Sequence, residues 1–222
     1  MDKEQIIGSV RSQDLSVSWI SEPGADKKDT DRVCILMMAN GQVRLTMQSA
    51  TLDLKGMRLT KGHICVFALF EPNGPGNGEA ADKVSETFMN MIMRYDITKK
   101  PAAAVLKKCL SKADKSIRKQ FRDASYKASV AAFAAKDLTV CCMNGGRMFI
   151  SSAGKVIEFT SEGTDILSAG QAWDSVMMIS GGYPLVTDEI KDDMRSPMGD
   201  LIVKRELKLL PVAASMIRVH RI

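Results

Sequence analysis

The side chains from which metal or nucleophilic chemistry is built are few and scattered in this sequence. There are two histidines, His63 and His220, far apart in the chain, and five cysteines, Cys34, Cys65, Cys109, Cys141 and Cys142, with no CxxC pair. A structural zinc site needs four such ligands converging, so no His/Cys zinc centre is expected. An odd cysteine count, mostly inside apolar runs, points to buried reduced thiols rather than a disulfide framework. Cys141 and Cys142 are neighbours on a strand and point to opposite faces, with no Lys or His adjacent to lower a thiol pKa, so packing is their expected role. One apolar run closes on Glu71-Pro72-Asn73-Gly74 and another on the pair Gly181-Gly182. By itself Glu71 is a polar residue in a loop. The glycine pair is a tight turn before it is a phosphate nest.

The other chemically distinctive feature is charge. Residues 99–122 hold nine Lys or Arg and one acid, Asp114, a local charge of +8 in a chain of net charge +5, so the remainder carries −3. Lys107, Lys108, Lys112, Lys115, Arg118, Lys119 and Arg122 mostly lie off the apolar stripe of a helix and have few acids for i,i+4 pairing. Aromatic residues make up 5% of the chain and none lies on this face to stack bases, which disfavours nucleic acid. An acidic protein partner or phospholipid headgroups suit such a face better. The start, Met1-Asp2-Lys3-Glu4-Gln5, lacks the apolar stretch of a secretory signal. No apolar run approaches the ~20 residues of a membrane span, so the expected location is the cytosol or nucleus.

These residues need elements to position them. With 222 residues, 45% hydrophobic, the chain can bury one substantial core. Residues 1–32 are polar and turn-rich and are expected to form a mobile arm or an edge strand; residues 33–222 are expected to form a single domain. Val33–Ala39 and Gln42–Met47 flank Asn40-Gly41, a strong hairpin signal. Ile64–Phe70 is a short continuous apolar run, as in a strand buried on both faces. A helix begins near Asn77 or Gly78, with Ala81, Val84, Phe88, Met91/Ile92 and Tyr95 on one face. Pro101 suits the first turn of the next helix, whose stripe is Leu106, Cys109/Leu110, Ala113, Ile117 and Phe121. From residue 127 the pattern turns to strands: Ala128–Ala135, Leu138–Met143, Arg147–Ser151 and Lys155–Phe159, read as one antiparallel meander. Residues 160–174 read as a loop, Ser175–Ser180 as a strand, Thr187–Met194 as a short capped helix, and Val212–Ile222 as carrying a last strand. The fifteen methionines fall mostly in apolar runs and read as core filler. The order is α+β rather than alternating βαβ.

That order resembles the metal-dependent type 2C (PPM) protein phosphatases. Val66-Phe67-Ala68-Leu69-Phe70-Glu71-Pro72-Asn73-Gly74 followed by Glu79-Ala80-Ala81 is similar to the family's strand ending in Asp-Gly-His-Gly and running into a helix. Lys127-Ala128-Ser129-Val130-Ala131 resembles its Gly-Ser-Thr-Ala strand. Asn144-Gly145-Gly146-Arg147 within 138–148, with Gly154-Lys155-Val156 and Phe159-Thr160 beyond, resembles its Gly-Asp-Ser-Arg meander. Trp173-Asp174-Ser175-Val176-Met177-Met178-Ile179-Ser180-Gly181-Gly182-Tyr183 resembles its signature ending in Ala-Ser-Asp-Gly. The resemblance implies a shortened four-layer α/β/β/α sandwich of two antiparallel sheets flanked by helices.

The resemblance also implies a two-metal site built mainly from carboxylates, and the departures fall on it. The bridging Asp is Glu71, the carbonyl-donating Gly is Pro72, the His is Asn73, the Asp of Ser-Asp-Gly is Gly181, and the Asp-Asn opening the last strand is Ala213-Ala214 or Ala214-Ser215. The family's early Arg and Glu-Asp have no counterpart; Gly56-Met57-Arg58 is nearest and carries no acid pair. Only twelve residues separate Thr160 from Trp173, where the family places a flap and a Gly-Asp motif. The expectation is a catalytically inactive, phosphatase-like regulatory module with Glu71 and Pro72 as vestigial metal positions, no cofactor, and a protein partner such as a kinase, a phosphatase or another regulator. One alternative is a residual Mn²⁺/Mg²⁺-dependent serine/threonine phosphatase drawing on Asp174, Asp188 or Asp200. Another is an unrelated α+β binding domain acting through the basic helix 101–122.

Overall fold

The structure is a computed structural model that describes residues 6–11, 15–22, 31–39, 42–47, 50–54, 65–73, 77–95, 100–134, 137–181, 194 and 214–221. In chain order the elements are β1 (Ile6–Arg11), β2 (Leu15–Glu22), β3 (Arg32–Ala39), β4 (Gln42–Met47), β5 (Ala50–Leu54), β6 (Cys65–Pro72), α1 (Gly78–Ile92) and α2 (Ala102–Gln120). They continue with β7 (Tyr126–Ala134), β8 (Asp137–Met143), β9 (Gly146–Ser152), β10 (Lys155–Ser161), β11 (Thr164–Gly170), β12 (Ser175–Ile179) and β13 (Ala214–Arg221). One sheet runs β1-β2-β13-β12-β9-β10 and the other β11-β8-β7-β6-β3-β4-β5. Among the described residues every strand pairing is antiparallel.

Side-chain alternation sorts the core. On β6, Cys65, Phe67 and Leu69 enter the space between the sheets, where they meet Val17, Ile35, Val176 and Ile217. Val66, Ala68 and Phe70 enter the opposite face, under Val84, Phe88, Leu106 and Leu110 of the two helices. All six residues 65–70 are buried, as a run without alternation demands. Phe70 and Phe88 meet edge to face, with centroids 5.6 Å apart. A fully buried Phe such as Phe88 is worth about 1.5–3 kcal/mol of transfer free energy. Both helices form where their stripes require, with Ala81, Val84, Phe88 and Ile92, and then Leu106, Cys109, Ala113 and Ile117, all buried. They pack on the outer face of the seven-stranded sheet. The outer face of the six-stranded sheet carries a third cluster, with Ile20, Phe149, Met177 and Met216 gathered against Met194. Met194 is the only described residue of the expected helix 187–194. All five cysteines are buried, and Met37, Met89, Met177 and Met178 are core residues.

Several elements differ from the sequence reading. Residues 1–32 supply two strands: β1 is an edge, but β2 lies between β1 and β13, with Val17 and Ile20 fully buried. β5 had no sequence signal beyond its neighbours. The single meander divides. β7 and β8 pair in one sheet, whereas β9 and β10 pair in the other. The stretch read as a loop at 160–174 holds the end of β10 and all of β11, which pairs with β8 as the sheet's edge. Its polar Thr164, Asp165 and Ser168 face solvent and hide the strand pattern, because an edge buries little of either face. Among the described residues no helix is long and apolar enough to cross a membrane.

The chain crosses between sheets at residues 144–145 and returns at 162–163. Asn144 and Gly145 take positive φ, 55° and 87°, and the two turns are tied by Asn144 N–H donating to Gly163 O at 2.9 Å and Gly145 N–H to Ser161 O at 2.6 Å. Gly146 then passes so close to β7 that a Cβ there would lie 2.1 Å from Ala128 O. Gly146→Ala should therefore lower unfolding free energy by about 2–4 kcal/mol. Urea denaturation checks it; a loss below about 1 kcal/mol would show that the crossing can shift to make room.

Candidate functional site

The same alternation that sorts the core sets a row of polar residues at one end of the sandwich. On β6, Glu71 follows Phe67 and Leu69 onto the inner face. The register pairs Glu71 with Lys127 on β7, and directly opposed residues share a face. On the other side of β6, Arg32 pairs with Phe70, so one step outward along that register Asp31 stands beside Glu71. Three neighbouring strands thus present an acid, an acid and a base where the sheet ends.

The six-stranded sheet supplies the facing wall. Gly181 and Ser180 follow β12, Ser215 lies on β13 and Ser21 on β2. Ser180 N–H donates to Ser215 O at 3.0 Å, Ser215 N–H donates to Ser180 Oγ at 2.9 Å, and the hydroxyls of Ser21 and Ser215 are 2.8 Å apart. Glu71 spans the two walls. Its Oε1 is 3.5 Å from Lys127 Nζ, and its Oε2 accepts the Gly181 N–H at 3.0 Å. Gly181 lets the two tips meet here, since a Cβ would stand 2.8 Å from Glu71 Oε1 and 3.0 Å from Lys127 Nζ and would displace them. The stem of Lys127 also runs past Gly145, where a Cβ would come 3.7 Å from its Cδ.

Asp31 is 5% exposed and hydrogen-bonds the Ser180 and Ser215 hydroxyls, while its Oδ2 has no hydrogen-bond partner. Burial pushes its carboxyl up to about 7, with the Glu71 charge adding to the rise; the two serine hydroxyls and Arg32 pull the other way. Arg32 points to the opposite face and forks onto Asp82 of α1, with Nη2 2.9 Å from Oδ2, which anchors the helix to β3. The two carboxyls are therefore treated differently: Glu71 is paired with an ammonium, and burial raises the pKa of Asp31.

The residues singled out from sequence separate into groups. Glu71 and Gly181 meet in the pocket. Pro72 ends β6 opposite Tyr126, half-buried. Asn73 is exposed and turned to the strand entry, its Nδ2 donating to Ser125 Oγ at 2.9 Å. Ala214 is fully buried opposite Glu22; Ala213 lies outside the described residues, as do Gly56-Met57-Arg58, Asp188 and Asp200. Asp174 cannot join the pocket. It precedes β12, seven residues and so about 23 Å of strand from Gly181, and its Oδ2 accepts the Ala153 N–H at 2.7 Å.

Lys107, Lys108, Lys112, Lys115, Arg118, Lys119 and Arg122 are all exposed. Lys108, Lys112, Lys115 and Lys119 recur every three or four residues and make one cationic row about 16 Å long, with Arg122 just beyond the helix end. Asp114 is engaged by Arg118 Nε at 2.9 Å and by the Tyr126 hydroxyl at 3.0 Å. At the helix end, Arg118 and Arg122 join Asn73, Ser125, Asn144 and Gly145 around an open polar cleft of about 540 Å³. Sequence reasoning passed over Asp31, as part of the charged run 26–32, and the role of Lys127. Inner-face parity with Val33 and with Ala131 is the signal that finds both.

The Asp31 carboxyl gives a signed pH dependence. Its folded pKa is raised, so between about pH 4 and 7 the unfolded chain releases a proton that the folded chain retains, and this group's contribution to stability falls as pH rises. Asp31→Asn should flatten that fall and raise stability above pH 7 relative to the parent protein. Thermal melts across pH 4–8 check it; an unchanged pH profile would contradict the burial of this carboxyl.

No protein-family model and no curated protein sequence matches the chain. Solved structures do. RsbX in complex with magnesium aligns over 98% of this chain and 100% of that one, with TM-score 0.69 and 9% identity. The serine/threonine phosphatase PstP/Ppp of Mycobacterium tuberculosis aligns over 93% and 98%, with TM-score 0.67 and 12% identity. A point variant of a bacterial serine phosphatase aligns over 97% and 100%, with TM-score 0.70 and 11% identity. At such identities the likeness is one of fold alone. From end to end this chain is built as the type 2C serine/threonine phosphatases are built, in a small form with few helices.

Proposed function

We propose that this chain uses the phosphatase fold without phosphatase chemistry, as a regulatory module that binds another protein. One observation carries the reading. The carboxylate at the family's bridging position, Glu71, is held by the Lys127 ammonium and the Gly181 N–H. The resemblance calls for two dications at this place. About 4 Å apart, two dications repel by roughly 16 kcal/mol at an effective dielectric near 20, and several carboxylates must offset that. Here one acid is engaged by a lysine, a second is buried with a raised pKa, and Gly181 cannot carry a side chain without displacing the first. Among the described residues no three His, Cys, Asp or Glu side chains form a group that could hold a metal ion. The donor set does not fit the metal pair.

For binding, the cationic row of α2 is the surface that stands out. It is exposed along its length, and the acid within its span is already engaged by Arg118 and Tyr126. An acidic face on a kinase, a phosphatase or another regulator complements it. A residual phosphatase remains the competing reading because Glu71 and Asp31 are both present, and it would have to recruit Asp188 or Asp200. An aryl phosphate assay in excess Mn²⁺ separates the two. The expected rate equals that of Mn²⁺ in buffer alone; turnover that disappears on Glu71→Ala would defeat the proposal.

A further inference from the structure

The glycines at 145 and 181 and the lysine at 127 form one set. Lys127 reaches Glu71 only by running past residue 145, and its ammonium rests where a side chain at residue 181 would begin. A side chain at residue 181 would push against the tips of the lysine and the glutamate, whereas one at residue 145 would meet the lysine stem at ordinary contact distance and be disfavoured by the positive φ instead. Opposite, the Oδ2 of Asp31 is buried and has no partner, on the inner face beside Glu71, with the Ser180 and Ser215 hydroxyls on its other side. Among the described residues the pocket therefore has an oxygen donor to spare, and the cation that reaches Glu71 is one the chain itself supplies.

From this we infer that Lys127 is a tethered substitute for a metal ion: its ammonium fills the cation position of the Asp31–Glu71 pocket and closes it to divalent ions. The inference rests on the non-catalytic reading and deepens it by naming what took the metal's place. An ammonium carries one charge and three donors on a flexible stem. It neutralises Glu71 without dehydrating a dication, so this end of the sandwich needs no metal to be held together. Without the ammonium, two carboxyls on adjacent strands face each other with serine hydroxyls behind them. That is a partial shell of hard oxygen ligands, which Mn²⁺ or Mg²⁺ completes with water.

Lys127→Met tests this, because methionine keeps most of the apolar stem over Gly145 and removes the charge. Melting temperatures are read with EDTA and with about 10 mM Mn²⁺. The parent protein should shift by less than about 1 °C, whereas Lys127→Met should gain about 5 °C or more, and the gain should vanish in Lys127→Met/Glu71→Gln. If Lys127→Met does not fold in EDTA, folding restored by Mn²⁺ supports the inference and failure in both conditions overturns it. A folded Lys127→Met with no greater gain than the parent also overturns it, leaving Lys127 as a cross-strand ion pair and the non-catalytic reading intact. A large Mn²⁺ gain in the parent itself would instead overturn both.

Discussion

A carboxylate brought in from water must be given partners, and the partners chosen for Glu71 set the character of this end of the molecule. Its two oxygens are divided between the walls of the sandwich, one toward Lys127 on its own sheet and one accepting an N–H from Gly181 on the other. A side chain at residue 181 would have to displace the tips of both Glu71 and Lys127. Asp31, one strand away, has its carboxyl raised to about 7 mainly by burial, and the charge of Glu71 adds to the rise against the pull of Arg32 and two serine hydroxyls. In a site built for dications both carboxyls would be charged and shared. Here Glu71 is paired with Lys127 instead, and burial raises the pKa of Asp31.

The scaffold that fixes this arrangement is ordinary β-sandwich physics. Alternation along β3, β6 and β7 sends every second residue inward, apolar in the middle of the strand and polar where the sheet ends. Asp31, Glu71 and Lys127 occupy the last inward positions. The serines on β2 and β13 and at the end of β12 bond one another across the second sheet, so the wall facing the acids is rigid and satisfied. Outward positions serve a different end: Arg32 grips Asp82 and the carbonyl of Gly78 at the start of α1. The helix that presents the cationic row is clamped by its own apolar stripe and by the Tyr126–Asp114–Arg118 chain of polar contacts.

Much of the fold was legible in the residues because burial patterns are local. The unbroken apolar run ending at Phe70, the stripes of the two helices, and the Asn-Gly dipeptide between Val33–Ala39 and Gln42–Met47 each name an element; Ala39 indeed pairs with Gln42. The sheet to which a strand belongs is not local. Nothing in Asn144-Gly145-Gly146 distinguishes a hairpin from a crossing; the distinction comes from the contact of Gly146 with β7. β11 escaped notice because an edge strand buries too little to alternate clearly. At the site, Glu71 and Gly181 stood out through family resemblance. Lys127 and Asp31 did not, because their meaning is cross-strand register, which joins positions 40 and 56 residues away from Glu71.

Under the proposed reading, a phosphatase-like sandwich with Glu71 engaged by Lys127, a polar cleft at one end and a line of lysines on one flank holds a partner rather than turning over a substrate. The most direct test is to titrate Mn²⁺ into the ¹⁵N-labelled parent protein and follow paramagnetic broadening residue by residue. With Lys127 as the resident cation, the amide signals of Gly181, Glu71 and Asn73 should broaden no more than those of other exposed sites at millimolar Mn²⁺. Selective loss of those three signals at micromolar Mn²⁺ would mean that a metal, not the lysine, belongs beside Glu71.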